Sequence, residues 1–302
     1  MKPTKHIRSH EIYQYHETKT KRRRPFVIAL FVLMIIGVVI YFYLSFVLNN
    51  LKQSYQVMQT VQAENEVVLT QQIQQQHPIA LWVVGIDDGL GGKLTQPRAT
   101  LMALTEGQAT TKPLQHYLLS PTIQLSDNKS LSDTFVSADL QQIQATAQQL
   151  LNLPIDYTIE LKLSKLRPLL DELGGVTLSP TLAFNLEGKT LVAHQAVHLS
   201  AREAMLYMQR QNEQENLATQ GQRQFEVVTG ILAELAQWQE ILQLKARLTL
   251  LQEAATTNLP FDRLVQLIQN GYLSDYLNGT ARGVTQLNDP ILHELAQRLN
   301  RN

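Results

Sequence analysis

The 302-residue chain contains no cysteine. No disulfide can form and no thiol can act in catalysis. That suits an extracytoplasmic domain that folds on its core alone. Also missing is a basic stripe or any DNA-reading motif, so nucleic acid is not a partner. The formal net charge is zero, but it is unevenly spread. Eight of the 26 basic residues and two of the 26 acidic residues precede Pro25, which leaves the first 24 residues at +6 and the remainder at −6. A further absence is charge between Pro25 and Leu48, twenty-four almost wholly apolar residues directly after Arg22, Arg23 and Arg24. At about 1.5 Å per helical residue, roughly 20 apolar residues cross a bilayer core. Lys and Arg are retained on the cytoplasmic side. The run exceeds the roughly 7–15 residues of a cleaved signal core, and no small-x-small site follows it. The expectation is a basic cytoplasmic tail over 1–24, one transmembrane helix over 25–48, and the rest of the chain outside.

Residues 49–77 are rich in glutamine, and Leu51, Tyr55, Met58 and Val61 recur at roughly helical spacing. They read as a helical stalk, too short for the three or four heptads of a coiled coil. The globular part is read as 78–302, about 220 residues and enough for one large domain. Ile79–Ile86, Ala99–Thr105 and Gln115–Ser120 read as strands, separated by turn-forming segments. Asp139–Leu153 reads as a helix, and Asp156–Leu163 alternates as a half-buried strand. Ser164–Leu173 is a helix ended by Gly174 and Gly175, after which Val176–Leu178 is extended. Ser200-Ala201-Arg202-Glu203 is a capping box that opens a helix to about Met208. Gln222–Leu244 is long and amphipathic, and Asp289-Pro290 starts a last helix. The fold class is α/β (α+β): a central mixed sheet covered by helices.

These residues carry a resemblance. Gly85-Ile86-Asp87-Asp88 ends the first strand, and Arg98 leads into the second. Pro154–Glu160 and Leu170–Val176 follow, then His198–Tyr207, Arg223-Gln224 and Thr257-Asn258-Leu259. The series resembles the LytR-CpsA-Psr family of Gram-positive envelope proteins over roughly residues 79–270. The resemblance implies a polyprenyl-linked glycopolymer whose lipid lies in an apolar tunnel and whose pyrophosphate is held by arginines and a magnesium ion. It implies transfer of that glycopolymer to peptidoglycan, as in teichoic acid or capsule attachment. Phosphoryl transfer spreads negative charge over oxygens, which guanidinium forks and a hard cation stabilise.

Carried over residue by residue, much of that machinery is missing. Asp87 or Asp88 keeps the first acid, and Arg98 keeps the arginine before the second strand. The family's second acid is Thr100. Its Pro-Arg-Asp corresponds to Pro121-Thr122-Ile123, and its Tyr-x-Arg-x-Arg to Tyr207-Met208-Gln209-Arg210-Gln211. Its Asp…Gly-Arg stretch finds no match in Glu213–Gln220, whereas Arg223 and Gln224 remain. Arg210 is one position off, about 100° around a continuing helix. A hydrogen bond to a charged group contributes about 1.5–3 kcal/mol. Three lost phosphate-facing arginines (positions 122, 209 and 211) therefore scale to roughly 4–5 kcal/mol, or a thousandfold or more in rate. The remnants are Asp87, Arg98 and Arg223. Arg98, Arg210, Arg223 and Gln224 are the candidate lipid-phosphate contacts, and Asp87 and Asp88 are weak magnesium ligands.

Other motifs read as structural. His194 and His198 are four apart but lack the glutamate of HExxH. Asp87-Asp88-Gly89 with Gly91 and Gly92 lacks the alternating oxygen ligands of a calcium loop and reads as a turn lining the site. Trp82 reads as core, and Tyr207 as packing before substrate contact.

Three functional readings follow. One is a degenerate, membrane-anchored protein that binds polyprenyl phosphates or assists active relatives. Another is a working transferase using Arg98, Arg202, Arg210 and Arg223 in altered geometry. The third is a structural module of an envelope complex with its tunnel filled. All three share one topology: protease added to intact protoplasts is expected to remove residues 50–302 and spare the first 24, and protection of the C-terminal domain would overturn it.

Overall fold

The structure, a computed structural model, describes residues 45–59, 79–89, 97–107, 114–125, 128–136, 139–209, 216–237 and 244–299, with single positions at Met34, Gly37, Val38 and Tyr41. The chain divides into two units, Met1–Asn49 and Asn50–Asn302. In the first, residues 45–49 are helical. The expected transmembrane run, 25–48, falls mostly outside the described residues. No helix among the described residues is long and apolar enough to cross a membrane.

The second unit is built on strands β1 (Ile79–Asp87), β2 (Arg98–Gly107), β3 (Gln115–Leu119), β4 (Tyr157–Lys162), β9 (Ala255–Thr257) and β10 (Thr280–Val284), in the order β10-β3-β2-β1-β4-β9. β1/β2, β2/β3 and β4/β9 pair antiparallel, whereas β1/β4 and β3/β10 pair parallel. Strands β5 (Val176–Leu178) and β8 (Val197–Leu199) form one small ribbon, and β6 (Phe184–Leu186) and β7 (Lys189–Leu191) form another. The helices are α1 (Leu131–Thr134), α2 (Leu140–Leu151), α3 (Arg167–Leu173), α4 (Ala201–Met208), α5 (Leu217–Leu235), α6 (Leu244–Ala254), α7 (Phe261–Gln269), α8 (Tyr272–Leu277) and α9 (Pro290–Leu299).

Strand alternation sends side chains to two cores. Ala80, Trp82, Val84, Met102 and Leu104 pack with Ile143 and Ala147 of α2 and Leu292 and Leu295 of α9. Trp82 is fully buried, its ring 5.8 Å from that of Phe135, which is its expected core role. On the other face Val83, Leu101, Ala103 and Leu161 pack with Leu170 of α3, Ala204 of α4 and Phe225 and Ile231 of α5. The expected mixed sheet covered by helices is thus present.

Helix ends follow local chemistry. Asp139 caps α2 by accepting from the Gln142 amide at 2.8 Å. The Ser200–Glu203 capping box forms in both directions, and these Ser200 bonds hold the Glu203 carboxyl down to about 2. Asp289 accepts from Ile291 N at 3.0 Å ahead of α9. α5 begins five residues before the expected Gln222, because Asn216 caps it by accepting from Ala218 N at 2.9 Å. It ends at Leu235, earlier than the expected Leu244.

The segment read as a stalk is partly docked. Tyr55 and Met58 are buried in the second core, and Leu51 is buried as well. Tyr55 donates its hydroxyl to Leu259 O at 2.9 Å and packs on Phe261 at 5.5 Å. Thr257 N donates to Met58 O at 2.8 Å, so residues 58–59 extend the sheet beyond β9, and Lys52 pairs with Asp262 at 3.0 Å. The Gln252 amide also donates to Ser54 O. Val61 lies outside the described residues. Removing a buried aromatic typically costs about 3–5 kcal/mol, and losing one buried hydrogen bond about 1–2 kcal/mol. Chemical denaturation should therefore find Tyr55→Ala destabilised on the larger scale and Tyr55→Phe on the smaller. A neutral Tyr55→Ala would show that this segment is not part of the folded unit.

Candidate functional site

The site is assembled where β1 and β2 meet α5. The β1/β2 register shifts between Gly85, opposite Leu101, and Ile86, opposite Ala99. Thr100 is therefore the unpaired residue of a bulge, a feature that bends a strand and re-aims side chains. α5 runs against this point. A Cβ on Gly221 would sit 2.6 Å from the Thr100 carbonyl oxygen, so only glycine permits the approach. A second glycine, Gly230, does the same against Val176 of β5.

The approach brings the α5 amides onto the strand ends. Thr100, 1% exposed, donates its hydroxyl to Gln224 Oε1 at 2.8 Å. Gln224 Nε2 in turn donates to Met208 O at 3.2 Å. Asp87 closes β1. Its Oδ1 accepts from Gly89 N at 2.9 Å and its Oδ2 from Gln220 Nε2 at 2.8 Å. Gly89 has φ +78°, so the segment is a turn that lines the site, as expected. Gly91 and Gly92 lie outside the described residues. Asp88 accepts from Ser164 Oγ at 2.9 Å through Oδ2, and its Oδ1 is buried with no partner among the described residues. After β3, the Ser120 and Thr122 hydroxyls are 2.8 Å apart.

The retained arginines are differently employed. Arg223 is 6% exposed. Its Nε donates to Tyr207 O at 2.6 Å and its Nη2 to Gln209 O at 3.0 Å, at the C-terminal end of α4. Its guanidinium lies 4.5 Å over the Phe184 ring. This is a helix-end clamp, favourable because carbonyls there are unpaired and the dipole end is negative. Arg98 stands opposite Asp87 in the ladder but is exposed, and its charge helps hold the Asp133 carboxyl low, after the Ser130 bonds that dominate. Arg202 forks onto Glu187 at 2.7 and 2.8 Å on the surface. Arg210 lies outside the described residues. Of the sequence candidates, Asp87, Gln224 and Arg223 are thus gathered at α5, whereas Asp88 bonds Ser164, Arg98 is exposed opposite Asp87, and Arg202 is held by Glu187 on the surface.

Two cavities flank α5. One of about 60 Å³ is lined by Leu101, Leu118, Ser120, Gly221 and Val284 among others. One of about 200 Å³ is lined by Phe184, Tyr207, Gln222, Arg223 and Glu226 among others. Both fall below the roughly 300–1,000 Å³ usual for small-molecule sites. Arg98 lines neither. Sequence reasoning missed Glu226, which accepts from the Tyr207 hydroxyl at 2.6 Å and from Thr181 N at 3.0 Å. Burial first, then Glu226, pushes the Tyr207 hydroxyl well above its usual range. It also missed Gln220, which is four residues before Gln224 and therefore on the same helical face. His198 has a structural role, bonding Gly174 O at 3.1 Å and the Thr177 hydroxyl at 3.3 Å.

The magnesium ion implied by the resemblance finds a poor fit. Asp87 has a hydrogen-bond donor on each oxygen, and the second acid position is Thr100. Among the described residues no group of three acids or histidines could hold a metal.

Comparisons with known proteins give the context. Residues 126–288, more than half of the chain, match the LytR_cpsA_psr family. The polyisoprenyl-teichoic acid–peptidoglycan teichoic acid transferase TagU of Bacillus licheniformis is 25% identical over 198 residues, covering 65% of this chain. The chain spans 64% of that relative's length, just under two thirds. Among solved structures, Bacillus subtilis TagU superposes with a TM-score of 0.56 at 18% identity, covering 74% of this chain and 96% of that one. TagT bound to LIIa-WTA does so with 0.53 at 16% identity, covering 75% and 91%. These structural likenesses establish the fold. With this match over more than half its length, the chain belongs to the LytR_cpsA_psr family.

Proposed function

We propose that this protein is a catalytically degenerate family member that assists attachment of polyprenyl-linked glycopolymers to peptidoglycan without carrying out the transfer. Its relatives are named as teichoic acid transferases, which supports a substrate of that class. The observation that carries the degenerate reading is the neutral network at the site. At two positions where the resemblance places family charges, this chain has Thr100 on Gln224 and Thr122 on Ser120, each with a neutral partner already in hydrogen-bond contact, and the neutral Gln220 amide meets Asp87. A transition state that spreads charge over phosphate oxygens needs charged, preorganised donors. Here Arg223 is held by backbone carbonyls and a phenyl ring.

The anchor and outside location belong to the same reading and rest on the uncharged run after Arg22–Arg24. Binding of a polyprenyl phosphate, with Arg223 and Gln224 near its headgroup, requires the space between α5 and the sheet to widen. Phe225, 5.0 Å from His116 and 6.4 Å from Tyr276, now helps fill that space, with Val228 and Ile231 beside it in the core. This packing favours a second reading, an interaction module of an envelope complex with a filled tunnel. Native mass spectrometry of the detergent-purified chain separates the two, since only the lipid-binding reading gives a polyprenyl phosphate adduct.

Turnover is the direct test of degeneracy. The purified chain is expected to move glycan from a lipid-linked pyrophosphate far below 1 s⁻¹, a rate ordinary enzymes reach or exceed by about tenfold. Gln209→Arg with Gln211→Arg should strengthen pyrophosphate binding and steepen its salt dependence. Enzyme-like turnover by the parent chain would end the degenerate reading.

A further inference from the structure

We propose that the amide of Gln220 stands where a divalent cation would sit at Asp87, so that this site engages its ligand without a cation. The inference deepens the degenerate reading and rests on it. Magnesium requires oxygen ligands at about 2.0–2.1 Å and keeps several waters. At Asp87 Oδ2 that position is met by the Gln220 nitrogen, 2.8 Å away, whose hydrogens point at the carboxylate. The other oxygen of Asp87 already accepts from Gly89 N. The amide thus supplies the partial positive charge that a cation would supply in full. Gln220 is 1% exposed and lies on the helix that Gly221 brings against the bulge, so its placement is fixed by backbone packing.

The neighbouring groups agree. Thr100 offers a hydroxyl whose proton goes to Gln224, in place of a second carboxylate. Asp88 spends one oxygen on Ser164, and its other oxygen is sealed from solvent. A cation that keeps several waters has no access there. Among the described residues, the groups that meet Asp87, Asp88 and Gln224 here are therefore amide and hydroxyl donors, and they suit a headgroup that brings no chelated metal.

The test uses manganese(II) alone, titrated by electron paramagnetic resonance into the full chain purified in detergent. The parent is expected to show no saturable site tighter than about 1 mM, the weak end of protein sites for hard cations. Gln220→Glu changes shape little and sets a second carboxylate against Asp87. It is expected to bind manganese at least tenfold more tightly than the parent and to gain melting temperature as manganese is added. A tight site in the parent that Asp87→Asn abolishes would overturn the proposal. So would a folded Gln220→Glu variant that binds no more tightly than the parent. The parent titration stands even where the variant does not fold. Glycan turnover that proceeds unchanged in a chelator would sink the degenerate reading while leaving the cation-free site intact.

Discussion

The contact on which the site depends is backbone against backbone: Gly221 of α5 beside the Thr100 carbonyl of the β2 bulge. A side chain at 221 would meet the Thr100 carbonyl oxygen at 2.6 Å and force the helix or the strand to shift. With the helix seated, Gln220 and Gln224 are delivered to Asp87 and Thr100, and Arg223 to the end of α4. The bulge at Thr100 re-aims its side chain, and the hydroxyl meets Gln224 of the helix. One close approach therefore sets three polar contacts.

Burial explains why the replacements form a set. A buried charge without a partner costs several kcal/mol, whereas a buried amide or hydroxyl needs only a matching donor or acceptor. The Asp87 carboxylate needs donors, and Gln220 with Gly89 provides them. If the acid is lost at 100, Gln224 still needs a donor for its carbonyl, and the Thr100 hydroxyl provides it. The buried polar groups beside α5 are thus met by amide and hydroxyl donors.

Much of the scaffold was legible in the sequence because it is strongly patterned. The apolar run of β1 and the alternation of β4 gave strands within a residue or two of the observed ends. The caps at Asp139, Ser200 and Asp289 gave helix starts. Strands β9 and β10 escaped because they are three and five residues long, and four of the five β10 residues are exposed. The docking of residues 51–59 was hidden by glutamine-rich composition, although the buried Leu51, Tyr55 and Met58 are the same helically spaced residues the sequence displayed. At the site, the charge losses at 100 and 122 were visible. The partners Gln220 and Glu226 were not, since each is distant in sequence from the group it meets and chemically ordinary, and Ser120, two residues from Thr122, is an ordinary hydroxyl.

The coupling between these residues limits what any single reversion can do. An arginine placed at 209 enters beside a guanidinium already clamped by Tyr207 O and Gln209 O, so it adds charge where like charge is present. An acid at 100 would face the Gln224 carbonyl oxygen, which now accepts from the hydroxyl it replaces. Residues in one hydrogen-bond network do not contribute additively. The contacts around α5 therefore act as one set, and a single substitution is read against all of them.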